Sequence, residues 1–130
     1  MYGQHIRLAG PFAAAVDKVT AVLKEQGFGV LSDIDIQKAM KEKLGVDMPA
    51  YRILGACNPP LAHRALQAEP EIGLLLPCNV TVREQPDGSV VVGFLDPQMM
   101  VQLTSNPGVA GVADEAGERL QRAREALGGS

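Results

Sequence analysis

Short β-type segments and amphipathic helical segments alternate along the first half of this chain, and this alternation restricts the folds available to it. Apolar residues recur at every second position in the predicted strands and at intervals of three or four in the predicted helices. The predicted strands are residues 5–9, 29–34, 51–57, 73–85 and 89–95. The element order β-α-β-α-β-α-β-β-α-α predicts an α+β fold, a two-layer α/β sandwich in which helices cover a mixed sheet of about five strands.

Capping residues mark the predicted helix boundaries. Asn58-Pro59 and Asn106-Pro107 each place a good N-cap residue before a proline, which is favoured at the first helical position. Asp35 is a third N-cap candidate, and Gly27 and Gly45 predict the ends of the first two helices. These signals place each helix directly next to a strand.

Two proline-containing segments shape the predicted strands near the end of the sheet. Pro77 lies inside the segment 73–85, which predicts an edge position or a bulge there. Pro86-Asp87-Gly88 predicts a hairpin, and a two-residue loop at Asp87-Gly88 would put Val82 opposite Gly93. In that register, one face of the sheet is mostly apolar and the opposite face is mixed. The mixed face still carries Val90, Val92 and Phe94. A small monomer rarely exposes so much apolar surface, so we expect a homodimer.

The length of 130 residues indicates a single domain, residues 1–127, followed by a flexible tail at 128–130. Twelve lysines and arginines against fifteen acidic residues give a net charge of −3, and the basic residues form no patch. The five aromatic residues are also scattered. We therefore expect no nucleic-acid partner.

The chain also lacks the features of membrane and secreted proteins. Its longest charge-free run, residues 97–113, contains Pro, Ser, Asn and Thr, so we expect no membrane span. The N-terminal segment is interrupted by Gly10-Pro11 and does not fit a signal peptide. Two cysteines without such a signal favour free thiols in a reducing compartment, and we expect a cytoplasmic protein.

The most informative segment for chemistry is Gly55-Ala56-Cys57-Asn58-Pro59, at a strand end that enters a helix. A thiol at a helix N-terminus lies near the positive end of the helix dipole, which favours the thiolate, so Cys57 is the best candidate nucleophile. The alternative is a buried structural cysteine, since free cysteines are often buried. No cysteine-phosphatase or Cys-x-x-Cys spacing is present, and His63 is expected on the polar side of its helix.

A second cysteine, Cys78, sits in a similar context before Asn79. If its strand neighbours the strand of Cys57, the two thiols can approach each other, with Met99 and Met100 close by. Thiolates and thioethers suit Cu(I) better than Zn²⁺, so Cys57, Cys78, Met99 and Met100 are candidate ligands for a soft metal. The alternative is that the methionines fill the core.

Four segments together resemble a known family, the domain-of-unknown-function family three hundred and two. They are FGVLSDIDI at 28–36, KLGV at 43–46, ILGACNP at 53–59 and LLPCNV at 75–80. The resemblance extends from about Phe12 to Leu127. It implies a small two-layer α/β fold that assembles as a homodimer, and it implies no reaction, cofactor or substrate.

These observations predict a cytoplasmic homodimeric domain that binds a small ligand or partner near Cys57-Asn58 and Cys78-Asn79. The candidate ligand-binding residues are Cys57, Asn58, Pro59, Cys78 and Asn79. Strand ends and helix N-termini are where open α/β sheets place ligands. Two alternatives stay open: a thiol-dependent enzyme or redox sensor that uses Cys57, and a soft-metal binding protein.

Overall fold

The protein is described over residues 2–128 by a computed structural model. The strands are β1 (Gly3–Leu8), β2 (Gly29–Asp35), β3 (Tyr51–Cys57), β4 (Cys78–Glu84) and β5 (Val90–Leu95). The helices are α1 (Phe12–Glu25), α2 (Ile36–Leu44), α3 (Pro59–Ala68), α4 (Gln98–Thr104) and α5 (Pro107–Ala126). A 3₁₀ helix, Pro70–Leu75, joins α3 to β4. The predicted α+β fold is confirmed, while residues 129 and 130 of the predicted tail lie outside the described residues.

The helix boundaries form through the predicted capping residues. Asp35 caps α2 by accepting a hydrogen bond from the backbone N–H of Lys38 at 2.9 Å. Asn58 caps α3 by accepting one from the N–H of Leu61 at 3.2 Å. Gly45 ends α2 in the left-handed conformation that favours glycine. Each of these interactions spans at most four residues, which is why the sequence predicted them.

The five strands form one sheet in the order β1-β5-β4-β3-β2, and every strand pair in the described residues is antiparallel. The predicted mixed sheet is therefore wrong in this respect. A connection between parallel strands must run back along the sheet to its opposite end, whereas the connections through α2 and α3 each leave and re-enter the sheet at the same end. α2 leads into residues 45–50, which return to β3, and Gln37 holds this segment by donating to the carbonyl of Met48.

The hairpin between β4 and β5 has a three-residue loop instead of the predicted two-residue loop. The N–H of Gln85 donates to the carbonyl of Ser89, and Gly88 has a left-handed φ of 85°. In this type of three-residue hairpin loop, a tight turn is followed by a glycine in the left-handed conformation, which forms a bulge. Val82 consequently pairs with Val92 and not with Gly93. A shift of one residue moves every side chain of a strand to the other face of the sheet.

The strand predicted over 73–85 begins only at Cys78, after the 3₁₀ helix and Pro77. Pro77 has no N–H to donate, and the chain places it before the ladder begins. The predicted edge position is wrong, because β4 lies between β5 and β3. The bulge lies instead in the edge strand β2, between Val30 and Ser32.

One face of the sheet carries the core. Val90, Val92 and Phe94 lie on this face and are at most 1% exposed. α1 packs against β2 and β4, while α5 packs against α1, α3 and α4. The prediction that these three apolar residues form an exposed face is wrong, because the register differs by one residue. Because these residues are buried in the core, they are not available for a contact between two copies, although the homodimer itself stays a prediction.

Candidate functional site

The chain leaves β3 and enters β4 at the same end of the sheet, and this brings the two cysteine segments together. β3 and β4 are neighbours in which Ala56 pairs with Cys78. Cys57, the next residue, ends β3, and Asn58 then begins α3 as its N-cap. Two cysteines 21 positions apart in the sequence thus lie on adjacent strands, at the point where α3 meets the sheet.

A cavity of about 270 Å³ lies between this end of the sheet and the helix layer. Both cysteines line it, and nearly all the remaining wall is apolar. The most buried wall residues, each at most 4% exposed, are Phe28, Ala56, Leu61, Ala65, Met100, Val112 and Ala116. An apolar space of this kind inside a packed domain is uncommon, since interiors are normally filled to crystal-like density.

The mouth of the cavity is formed by exposed leucines. Leu31 is 72% exposed and Leu66 is 40% exposed, and both line the cavity. Leu31 occupies the bulge of β2 and has no partner in the β2–β3 ladder. A bulge redirects the side chain at that point, so the irregularity of β2 supplies part of the mouth. Leu66 supplies the other part of the mouth from α3.

Asn58 is the only polar residue classed as buried among residues 2–128, with 7% of its surface exposed. Its Oδ1 caps α3, and its Nδ2 lies next to Gly27, where an added Cβ would approach Nδ2 to 2.8 Å. Gly27 also has a left-handed φ of 86°. The position after α1 therefore needs glycine both for its conformation and for space beside Asn58.

The two thiols are free and differ in their surroundings. Cys57 is half-buried and Cys78 is 6% exposed. Burial, followed by the electrostatic effect of Cys57, raises the pKa of the Cys78 thiol to about 11. Cys78 is thus a neutral thiol near pH 7, and of the two cysteines Cys57 is the one that reagents in solution can reach.

The comparisons with known proteins identify the family and the fold of the chain. The family described as "Domain of unknown function DUF302" matches residues 4–127. The chain belongs to this family. The crystal structure of an uncharacterized conserved DUF302 protein from Bacillus stearothermophilus is 26% identical to it, with a TM-score of 0.88 and 98% of each chain covered. The predicted family and the predicted α+β fold are both confirmed.

A further relative matches over a shorter segment. An uncharacterized protein of Aquifex aeolicus (strain VF5) is 35% identical over 48 residues. This segment spans 37% of the present chain and 33% of that protein's own length. It adds a similarity in sequence and no information about activity.

The fold of this DUF302 chain separates the predicted site residues into two groups. Cys57, Asn58, Cys78 and Met100 line the cavity. The others do not: Pro59 is exposed at the start of α3, Met99 is half-buried outside the cavity, and Asn79 is exposed. Asn79 lies instead in a small depression with His5 and Thr81. Side chains alternate along a strand, and neighbouring helical residues point about 100° apart, so adjacent residues diverge.

The helix-layer and bulge residues of the cavity were not predicted from the sequence. Val112 and Ala116 reach it from α5, Leu31 from β2, and Phe28 from the residue directly before β2. Val112 and Ala116 are four residues apart, a spacing typical of the buried side of a helix, but this spacing does not indicate which space they border. The position of Leu31 depends on a bulge, for which the sequence carries no clear signal.

Two further sequence predictions concern metals and membranes. Within residues 2–128, no group of three or more His, Cys, Asp or Glu side chains converges as a metal site. His63 is exposed, as predicted. No helix in the described part of the chain has the length and apolar character needed to cross a membrane. The cytoplasmic location and the absence of a nucleic-acid partner stay predictions.

Proposed function

We propose that the chain is a binding module that holds a small apolar molecule in the cavity beside Cys57 and Cys78. The observation that supports this proposal is a cavity of about 270 Å³ that has an apolar wall and an open mouth lined by leucines. A dry apolar cavity of about 150 Å³ can hold benzene, so this volume suits a ligand of roughly ten non-hydrogen atoms. Ligand sites in proteins are mostly apolar with a few polar groups, which here are the Asn58 amide and the two thiols.

Binding fits the geometry better than thiol-dependent catalysis. A cysteine nucleophile is usually activated by a base within hydrogen-bond reach. In the described structure, His63 is exposed on α3 and does not line the cavity, and His5 lies in the separate depression with Asn79. The cavity therefore supplies Cys57 with an apolar environment and no neighbouring imidazole.

Filling the cavity should remove binding without removing the fold. Ala62 is half-buried and lines the cavity, so Ala62→Leu adds a branched side chain to the space that the ligand needs. We expect toluene and naphthalene to stabilise the wild-type protein in thermal denaturation. We expect Ala62→Leu to weaken their binding at least tenfold, an effect of about 1.4 kcal/mol.

The matched control for this experiment is Ala110→Leu. Ala110 is also half-buried and helical, but it lies on α5 outside the cavity. This variant should bind both compounds like the wild type. The proposal is wrong if neither compound stabilises the wild-type protein, or if the two variants bind equally well.

The second part of the proposal is that two copies associate through the sheet face opposite the core. A row of paired residues crosses all five strands on this face: His5, Gly93, Thr81, Ile53 and Ile34. Ile34 is 49% exposed and lies beside half-buried Ile53, so this face carries an apolar pair on its β2 side. An isologous contact between two copies would cover both isoleucines.

This association predicts a dimer mass in light scattering at micromolar concentration. Ile34→Arg should convert the protein to a monomer, because the substitution places a charge in the contact. Leu44→Arg is the control, since Leu44 is 68% exposed on α2 and outside that row. A monomer mass for the wild type, or a monomer with both variants, would contradict the proposed contact.

A further inference from the structure

The side chain of Asn58 is held in one orientation by the start of α3. Its Oδ1 accepts a hydrogen bond from the backbone N–H of Leu61 at 3.2 Å. An N-cap needs an acceptor oxygen at this position, so the amide cannot exchange Oδ1 and Nδ2 without losing the cap. The Nδ2 atom, which carries two donor hydrogens, therefore lies on the side of the amide away from this N–H.

Nδ2 has no acceptor within the described part of the chain, where the contact with Leu61 is the one hydrogen bond of the Asn58 side chain. Arg119, whose guanidinium approaches the same side of Gly27, donates to the carbonyl of Gln26 at 3.1 Å. Among residues 2–128, no side-chain nitrogen or oxygen is both unpaired and fully enclosed, so Nδ2 keeps some open surface. Asn58 is otherwise buried, and the open space that it borders is the cavity.

The cavity wall supplies no counter-charge for an ionic ligand. No Lys, Arg, His, Asp or Glu of the described chain lines the cavity. An ion that entered it would lose its hydration without gaining an opposite charge, which is strongly unfavourable. The wall therefore favours a neutral ligand.

The polar groups of the wall match an acceptor on the ligand better than a donor. Nδ2 donates hydrogen bonds, whereas Oδ1 is already bonded to α3 and the sulfur atoms of Cys57 and Cys78 are weak acceptors. An alcohol or an amine would bring its own O–H or N–H into an apolar space and leave it unpaired, which is unfavourable. A ketone or an aldehyde has an acceptor oxygen and no such donor, so the wall matches a carbonyl group.

We propose that the cavity binds neutral ketones or aldehydes whose carbonyl oxygen accepts a hydrogen bond from Asn58 Nδ2, while their hydrocarbon part contacts the apolar wall. This inference rests on the proposed function, because it assigns a ligand class to the same cavity. Asn58 then has two roles, since Oδ1 begins α3 and Nδ2 selects the ligand. Binding is non-covalent, and a volume of about 270 Å³ has room for a phenyl ketone.

Three compounds with the same carbon skeleton isolate the contribution of the carbonyl group. They are acetophenone, 1-phenylethanol and ethylbenzene, and calorimetric titration measures their affinities. The wild-type protein should bind acetophenone about tenfold more tightly than 1-phenylethanol. In the infrared spectrum, the carbonyl stretch of bound acetophenone should lie below its frequency in hexane, because a hydrogen bond to the oxygen weakens the C=O bond.

Asn58→Asp removes the donor and keeps the cap. Aspartate is as good an N-cap as asparagine, and its second oxygen replaces Nδ2. This variant should lower the affinity for acetophenone at least tenfold relative to the affinity for ethylbenzene. Asn58→Ser also keeps a good N-cap and adds no buried charge. It should lower the same ratio and shift the carbonyl stretch toward its value in hexane.

Asn106→Asp is the matched control. Asn106 caps α5 by accepting a hydrogen bond from the N–H of Gly108 at 2.8 Å, and it does not line the cavity. The ratio of the two affinities should keep its wild-type value in this variant. The proposal is overturned if both Asn58 variants leave the ratio unchanged, if Asn106→Asp lowers it equally, or if 1-phenylethanol binds the wild type as tightly as acetophenone. A carbonyl stretch of bound acetophenone equal to that in hexane also overturns it.

Failure of this inference is distinguishable from failure of the proposed function. If ethylbenzene binds the wild type and Ala62→Leu weakens that binding, the cavity holds apolar molecules whatever the Asn58 variants do. An unchanged ratio in those variants then overturns the carbonyl class alone. If neither ethylbenzene nor acetophenone binds the wild type, both the ligand class and the proposed function are overturned.

Discussion

Phe28→Ala is expected to lower the free energy of unfolding by about 3–5 kcal/mol, the usual cost of truncating a buried phenylalanine. Phe28 is 2% exposed and forms part of the cavity wall. Its removal therefore joins a new void to a space that already exists. Chemical denaturation of the wild type and the variant measures the loss.

The same variant should gain affinity for a larger ligand. The joined space has room for naphthalene, which should stabilise Phe28→Ala more than it stabilises the wild type. A ligand present at a hundred times its dissociation constant stabilises the folded state by about 2.7 kcal/mol. Naphthalene at that concentration should therefore restore a large part of the free energy of unfolding that Phe28→Ala removes.

Phe94→Ala is the control for this gain. Phe94 is 1% exposed in the same core but does not line the cavity. Phe94→Ala should lower the free energy of unfolding by a similar amount, and the void that it leaves should be isolated from the cavity. If naphthalene restores Phe94→Ala as well as Phe28→Ala, or restores neither, the described cavity is not the ligand site.

The second large effect concerns pH. Burial raises the pKa of the Cys78 thiol from 9.0 to about 11, so the folded state keeps the thiol proton to a higher pH than the unfolded state. The resulting contribution to stability is complete below about pH 9 and is lost as pH rises through about 11. A shift of this size corresponds to about 3 kcal/mol in total.

Other groups also titrate in this range, so the comparison with Cys78→Ala isolates the effect. Unfolding free energies from urea denaturation at pH 8, 9, 10 and 11 should fall more steeply for the wild type than for this variant. Cys57→Ala should keep most of the wild-type slope, because the burial of Cys78 is the larger cause of its shift. Equal slopes for the wild type and Cys78→Ala would contradict the burial of this thiol.

The site was partly predictable from the sequence. The sequence placed Cys57 and Asn58 at a strand end before a helix, and Cys78 on a second strand. It did not indicate which residue of two adjacent pairs, Met99 or Met100 and Cys78 or Asn79, lines the cavity. That depends on which side of the helix or strand faces the helix layer. The bulge that exposes Leu31 and the α5 residues that close the cavity depend on contacts between distant parts of the chain.

By itself, the sequence determined the order of the elements, the helix starts at Asp35, Asn58 and Asn106, and the left-handed glycine at Gly45. These features depend on interactions within a few residues, in which a side chain caps a nearby backbone N–H or a glycine permits a left-handed turn. The antiparallel sheet, the hairpin register and the cavity were decided only by the tertiary structure. A one-residue change in the loop at Gly88 reverses the faces of β5 at little local cost, and only the packing of Val90, Val92 and Phe94 under the helices selects one register.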